Sequence, residues 1–433
     1  MCWPRERLCF EDVRSGGLDE IRKFGSRSKY HTRKGTSPMK EKLFAYLDRL
    51  APQLAEMADT IFDNPELGLE EYKASALLCD FLEKSGFALE RGIAGMPTAF
   101  RAVFECGASE KKTSIGLLCE YDALAGIGHA CAHHMQGPAI VGAAIALKEE
   151  LSKKGISFKI VVYGTPAEET SGGKIQMLEQ GYFQDIDVAL MMHGSPTTTT
   201  DVRSLALSSF TVRFHGTSAH AALMPEAGRS ALDGLILLFQ GIEFMREHIP
   251  DDVRIHYVVT QGGGVSNVVP KLAEGKFTLR SYSRSTLDGV VARFRKIVQG
   301  AALMTETEYD IIEDKALHNK IPVLKLNEIL MANARLVGAP AIRPPREKTG
   351  STDFGNVMYH LPGSCIRLAF VPEGTSSHSE GFIAAGKSQA AHDAVLYAAK
   401  ILAASACDLI EDSALLEDIH REFEENKRKD GQL

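Results

Sequence analysis

Four side chains that bind transition metals crowd into the stretch Gly128-His129-Ala130-Cys131-Ala132-His133-His134. Imidazole and thiolate suit zinc, and imidazole serves other transition metals as well. Cys131 and His133 are too close in sequence to share a helical face, so a loop must aim them at one point. A buried thiol among surface histidines is the competing reading. Further on, Glu168 and Glu169 are adjacent carboxylates, followed closely by Gly172 and Gly173. Neighbouring side chains of an extended strand point apart, but a turn brings both into one cavity. Beside a metal, one such carboxylate ligates while the other takes a proton from metal-bound water. A solvated acidic loop is the alternative. His193, before Gly194-Ser195-Pro196, and His378, among small polar residues, each read as readily as structural or surface histidines. Their joint occurrence with the cysteine and the acids is what points to a metal site.

Three more residues could act on a substrate. His220, in Ser218-Ala-His220-Ala, occupies a turn from which an imidazole could donate to a developing oxyanion. Asn267 and Arg280 offer an amide and a guanidinium, which together bind a carboxylate. They lie near one another if 254–283 folds as an antiparallel hairpin. An exposed turn histidine, a turn-forming asparagine and a surface arginine are the plain readings.

The elements that must hold these residues alternate in type. An amphipathic helix is expected over 40–63 and another over 71–85. Strands follow at 99–106 and 114–120, a helix at 136–153, a strand at 158–163, a short helix at 174–180 and a strand at 188–192. Polar residues recur at the strand ends: Glu120 and Asp122, then Glu168 and Glu169, then His193. Open α/β sheets hold their ligands there. The pattern changes near 204. A half-buried strand at 208–216, a helix at 230–249, strands at 254–260 and 272–283, a helix at 287–304 and a strand at 307–314 give a β-α-β-β-α-β order. That is the split, ferredoxin-like arrangement. It predicts an α+β domain at 204–318 inserted into an α/β catalytic domain formed by 39–203 and 319–433. The catalytic domain is expected to be a mixed sheet with helices on both faces. A helix at 323–337, a polar loop at 344–356, a strand near 365–371 and helices at 386–405 and 413–429 complete it.

At 433 residues, with 44% hydrophobic and 24% charged side chains, the chain has material for two ordinary cores. A net charge of −7 argues against nucleic acid as a partner. Eight scattered cysteines form no CxxC pair, which fits a reducing, cytoplasmic setting. No apolar run is long enough for a membrane span or a signal peptide. Residues 1–38 are polar and basic and read as a disordered leader, or as sequence upstream of a natural start at Met39.

Taken in order, a set of motifs resembles the aminoacylase/carboxypeptidase family of dinuclear metallopeptidases and amidohydrolases, metallopeptidase family twenty. The similar branch contains aminobenzoyl-glutamate hydrolase subunits, IAA-amino-acid hydrolases and aminoacylase-1-like dipeptidases. The motifs are Glu120-Tyr-Asp-Ala-Leu, Gly128-His-Ala-Cys-Ala-His, Gly164-Thr-Pro-Ala-Glu-Glu, Met192-His-Gly-Ser-Pro and Phe214-His-Gly-Thr-Ser-Ala-His-Ala. They continue with Gly228-Arg-Ser-Ala-Leu-Asp, Ser266-Asn-Val-Val-Pro, Ser351-Thr-Asp-Phe-Gly-Asn and Ser377-His-Ser, so the resemblance spans about 39–410. It implies that Cys131, His133, Glu169, His193 and His378 bind two divalent metals, zinc or manganese. It implies Glu168 as general base, His220 as an oxyanion donor reaching into a neighbouring subunit, and Asn267 with Arg280 as the clamp on a substrate carboxylate. The inserted domain would be a lid and a dimerisation surface, giving a homodimer. The activity implied is hydrolysis of the amide bond of an N-acyl amino acid or dipeptide, aminobenzoyl-glutamate-like substrates included.

Two residues depart from the family's usual run of His-Ala-Cys-Gly-His followed by Asp or Asn. Ala132 stands for the glycine, and if that position has positive φ it is strained by roughly 1–2 kcal/mol. His134 stands for the acid or amide, and either removes an acceptor behind the metal ligands or adds a ligand. A catalytically silent member acting as a regulatory or binding subunit is the alternative to an enzyme.

Overall fold

The structure, a computed structural model, describes residues 36–430. The expected leader therefore falls almost wholly outside the described residues. Ser37 caps the first helix, Pro38–Asp63, by accepting the Lys40 amide, and Pro38 occupies the first turn, where no N–H is needed. Among the described residues, no helix is long and apolar enough to cross a membrane.

The larger sheet has strands β1 (Ala88–Arg91), β2 (Phe100–Cys106), β3 (Thr113–Cys119), β4 (Phe158–Gly164), β5 (Val188–Ser195), β6 (Thr199–Ser204), β11 (Arg346–Thr349) and β12 (Gly363–Ala369). Their order is β1-β2-β4-β3-β5-β12-β6-β11. The central strands β4, β3, β5 and β12 run parallel; β1 with β2, β2 with β4 and β12 with β6 pair antiparallel, and β6 pairs in parallel with β11. Side chains alternate between two cores, as the two-residue period of a strand requires. Leu117, Val162 and Leu190 pack under helices Pro38–Asp63, Gln136–Leu151 and Gln389–Glu411. Leu118, Val161 and Met191 face Met177, Phe354 and Met358 on the other side. Both faces are covered, so these strands read as near-continuous apolar runs.

The smaller sheet follows β6. It comprises β7 (Ala206–His215), β8 (Arg254–Gln261), β9 (Leu272–Ser281) and β10 (Glu308–Leu317), with helices Ala231–Arg246 and Arg284–Thr305. The order β10-β7-β9-β8, antiparallel throughout, is that of the split β-α-β-β-α-β arrangement. A separate core of Phe210, Phe214, Leu238, Phe277 and Phe294 holds it together.

Three expectations need correcting. The loop expected at 344–356 contains β11, and β6 falls between the strands expected at 188–192 and 208–216, where the sequence predicts no element. β6 begins in a threonine run, and the Thr199 hydroxyl donates to Pro344 O at 2.8 Å, across to the segment that leads into β11. Polar strands of this kind carry no apolar alternation to read. The β8–β9 hairpin also does not join Asn267 to Arg280. Gln261 pairs with Glu274 at the loop end and Arg254 with Arg280 at the other, so the two residues lie at opposite ends of the hairpin.

Candidate metal centre

The parallel strands deliver the ligand-type residues to one edge. Cys131 and His133 follow β3, Glu168 and Glu169 follow β4, His193 lies near the end of β5, and His378 follows β12. Three candidate ligand groups result, Cys131 with His133 and His193, Cys131 with Glu169 and His378, and His133 with Glu168 and Glu169; within each, the donor atoms lie within 4.8 Å of one another. The Cys131 thiol belongs to the first two. Its Sγ is 3.5 Å from His193 Nε2 and 3.3 Å from His378 Nε2. Glu169 Oε1 lies 3.4 Å from His378 Nε2 and 4.0 Å from His133 Nε2.

The imidazoles are turned for ligation. His133 Nδ1 meets the Asp122 carbonyl and carboxylate, each at 3.0 Å, which leaves Nε2 for the centre. Asp122 also accepts the Glu169 amide at 2.9 Å, so one buried carboxylate fixes two of the ligands. His193 Nδ1 donates to Gly194 O at 2.8 Å, again presenting Nε2. His133 Nε2 and Glu169 Oε1 are buried without a hydrogen-bond partner, a costly state that a bound cation relieves. The donor set, a thiolate, imidazoles and a carboxylate, therefore fits the implied pair of divalent metals, and zinc matches its chemistry.

Electrostatics separate the roles. Burial pushes the Glu168 carboxyl up to about 8, with Glu120 and Asp353 adding like charge beside it. Burial, Arg367 and His133 keep His193 neutral, down at about 3. Burial also disfavours a charged His133, but Cys131, Asp122 and Glu120 outweigh it and raise that imidazole well above its usual range. A helix N-terminus, such as the one that follows Cys131, favours a thiolate, but burial outweighs it and pushes Cys131 up to about 11. Its thiolate needs a metal as well as the helix.

The loops here are bent. Ala132 (φ 63°), Ala167 (φ 62°) and His378 (φ 58°) all occupy the left-handed region. Such strain costs about 1–3 kcal/mol each and persists where surroundings enforce it. Buried Glu71 does so at Ala167, accepting its amide at 2.8 Å and the Thr98 hydroxyl at 2.7 Å. Ala132 thus takes the positive φ anticipated for it. His134 is not an added ligand. Its Nε2 meets Gly386 O at 2.9 Å and its ring packs against Phe62, turned out of the centre.

A second carboxylate group, Glu120, Glu168 and Asp353, also converges. Lys174 fills it, with Nζ 2.6 Å from Glu120 and 2.7 Å from Asp353, and no part of its side chain is exposed. Burial alone would raise Glu120, but Lys174 foremost, with His133 and His193, holds it down at about 2. Lys174 was not singled out from sequence. A lysine opening a helix reads as solvated, and only the fold brings Asp353 to it. The clue in hand was Ser351-Thr-Asp353, whose buried acid needed a cation.

His220 and Asn267 stand apart from the centre. Both are exposed, and neither lines the cavity over the ligands. They do meet each other's strands, since His220 bridges Val268 and the Ala221 amide donates to Asn267 O. Arg280 is half-buried and reaches Ser351 Oγ, a lining residue, at 3.3 Å.

A model described as a peptidase dimerisation domain matches residues 206–305. In fold, the chain is similar to a Bacillus subtilis protein described as a dinuclear metal binding peptidase from the M20 family. The TM-score is 0.63 at 17% identity, covering 84% of this chain and 99% of that one. The Xaa-Arg dipeptidase of Mus musculus is 33% identical over 397 residues, 89% of this chain and 92% of that protein. The chain belongs to the M20 family of metallopeptidases. A further M20 relative, one of the p-aminobenzoyl-glutamate hydrolase subunits of Escherichia coli, is 32% identical over 445 aligned positions, 86% of this chain and 92% of that one. Membership makes the chain a hydrolase of amide bonds.

Proposed function

We propose that this chain hydrolyses the amide bond joining an acyl or aminoacyl group to an amino acid, in a substrate the size of a dipeptide. The observation that carries this is the pair of ligand groups sharing Cys131, with Glu168 beside them. Cys131, His133, Glu169, His193 and His378 would hold two divalent metals, zinc or manganese. Bound there, the metals would polarise the amide carbonyl and make water acidic enough to attack at neutral pH. Glu168 takes the proton of the attacking water and passes it to the leaving amine. A half-buried carboxyl whose pKa lies near neutrality suits both halves of that exchange. Arg280, beside the cavity, binds the substrate's carboxylate.

His220 and Asn267 complete the reaction only from a second copy of the chain. On this reading the enzyme is a homodimer joined through its inserted domain, with His220 donating to the oxyanion. The six free cysteines among the described residues fit a cytoplasmic setting.

Metal analysis and reconstitution test the reading. Two metals per chain, and release of amino acid from N-acyl amino acids or dipeptides that a chelator abolishes, are expected. A chain that stays metal-free and inert after zinc or manganese is supplied overturns it in favour of a silent binding subunit.

A further inference from the structure

The cavity over the metal centre, about 520 Å³, continues past the ligands to a cluster of cations that the hydrolytic scheme does not use. Asp201, in β6, is buried and sits at its middle. Its Oδ1 accepts Nε of Arg346 at 2.7 Å and its Oδ2 accepts Nε of Arg367 at 2.8 Å. Each guanidinium is held by Nε, and the terminal amino groups take no acceptor among the described residues. Buried Lys320 spends one ammonium hydrogen on Asp201 O, at 2.7 Å. All four residues line the cavity. Arg367 pairs in register with His193, so the cluster begins next to a metal ligand.

Two guanidiniums thus share one carboxylate, and the Lys320 ammonium sits on the backbone carbonyl of the same residue. The other acids in the wall are engaged elsewhere: Glu120 with Lys174 and Gln136, and Glu168 and Glu169 at the centre. Cations in a half-closed cavity are costly unless an anion completes them. A purely structural brace for Asp201 would need one arginine, and its forked groups would be consumed. Here two forks are oriented and left open, the arrangement that recognises a carboxylate. Arg280, which donates to the Ser351 hydroxyl at the rim, is the separate guanidinium assigned above to the first carboxylate.

We propose that Arg346, Arg367 and Lys320 form a subsite for a second substrate carboxylate, so that the preferred substrates are N-acyl or aminoacyl derivatives of acidic amino acids. This rests on the hydrolase reading above. A basic side chain meets like charge there, because both guanidiniums already occupy Asp201.

The metal-loaded enzyme is compared on benzoyl-glutamate, benzoyl-glutamine and benzoyl-arginine. The glutamate compound is expected to exceed the glutamine compound by roughly tenfold or more in kcat/KM, the range of one charge-assisted hydrogen bond. The arginine compound should be slowest. Arg346, with its side chain 40% exposed, can be changed without opening the core. Arg346→Met should collapse the glutamate-to-glutamine ratio towards one, and Arg346→Lys should retain part of it. Equal wild-type rates on glutamate and glutamine, preference for arginine, or a ratio unmoved by Arg346→Met would each overturn the subsite while leaving the hydrolase intact. Calorimetry with glutarate and butyrate reads the subsite without turnover. Glutarate should bind at least about tenfold more tightly, and Arg346→Met should erase the difference. Loss of all hydrolysis with that binding preference intact would remove the hydrolase reading and keep the subsite; equal binding of the two acids would remove the subsite.

Discussion

The edge of the large sheet and the tip of the small one solve different problems. At the edge, four parallel strands bring every candidate ligand to one point within a single chain. Acids there are buried and answered: Lys174 spans Glu120 and Asp353, and Asp122 holds His133 and the Glu169 amide. At the tip, His220 and Asn267 are exposed, and among the described residues no carboxylate fixes the His220 ring, whose Nδ1 accepts the nearby Ala222 amide. The acids behind the first region's candidate ligands are paired within the chain, while His133 Nε2 and Glu169 Oε1 are left for a cation. The second is open to solvent, and the function proposed for it requires a second copy of the chain.

The sharpest challenge to that contrast is Glu168→Ala. It should leave two metals bound and lower kcat by roughly 10²–10⁴-fold, the range of a positioned general base. Retained turnover would mean that the edge is not where the proton moves. Next in size, His220→Ala should cost about 10²–10³-fold in kcat, as for other oxyanion donors. Mixing His220→Ala chains with Glu168→Ala chains should then restore activity, since each mixed dimer holds one intact site. No recovery after demonstrated chain exchange would show that the tip does not serve a partner.

A smaller effect concerns the first region alone. Burial would raise Asp201, but Arg367 and then Arg346 hold it down, from 3.8 to about 2. A carboxyl lowered on folding stabilises the native state above its unfolded pKa, and that support is lost as the pH falls through the folded value. Asp201→Asn should therefore cost about 2 kcal/mol at neutral pH. Denaturant titrations should show its gap from wild type closing between pH of about 4 and about 2. A gap independent of pH would count against the charge and in favour of packing. Smallest is Ala132→Gly. Relief of left-handed strain, roughly 1–2 kcal/mol, is offset by about 0.4–1 kcal/mol of added unfolded-state freedom. A net gain of about 0.5 kcal/mol in unfolding free energy is expected.

The same contrast explains what could be read from sequence. The candidate ligand set announced itself because strand ends are local features: an apolar run stops, and polar residues follow at the edge. The inserted unit's element order was equally plain. What depended on distance along the chain was hidden. Nothing near Lys174 reveals Asp353, 179 residues on, and nothing near Asp201 reveals Arg346 or Arg367. The supposed nearness of Asn267 and Arg280 failed for a related reason. A hairpin joins its strands, but residue 267 belongs to the loop and residue 280 to the far end, so shared membership said nothing of separation.

Gly194 carries a last consequence. A β-carbon there would stand 2.7 Å from Cβ of Ala132 and 2.9 Å from the Phe370 ring. The alanine in the ligand loop is therefore tolerated only while β5 keeps a glycine opposite it. Even a glycine at 132 would leave the Phe370 ring against any β-carbon at 194, so position 194 is locked from two sides at once, by the ligand loop and by the residue that follows β12.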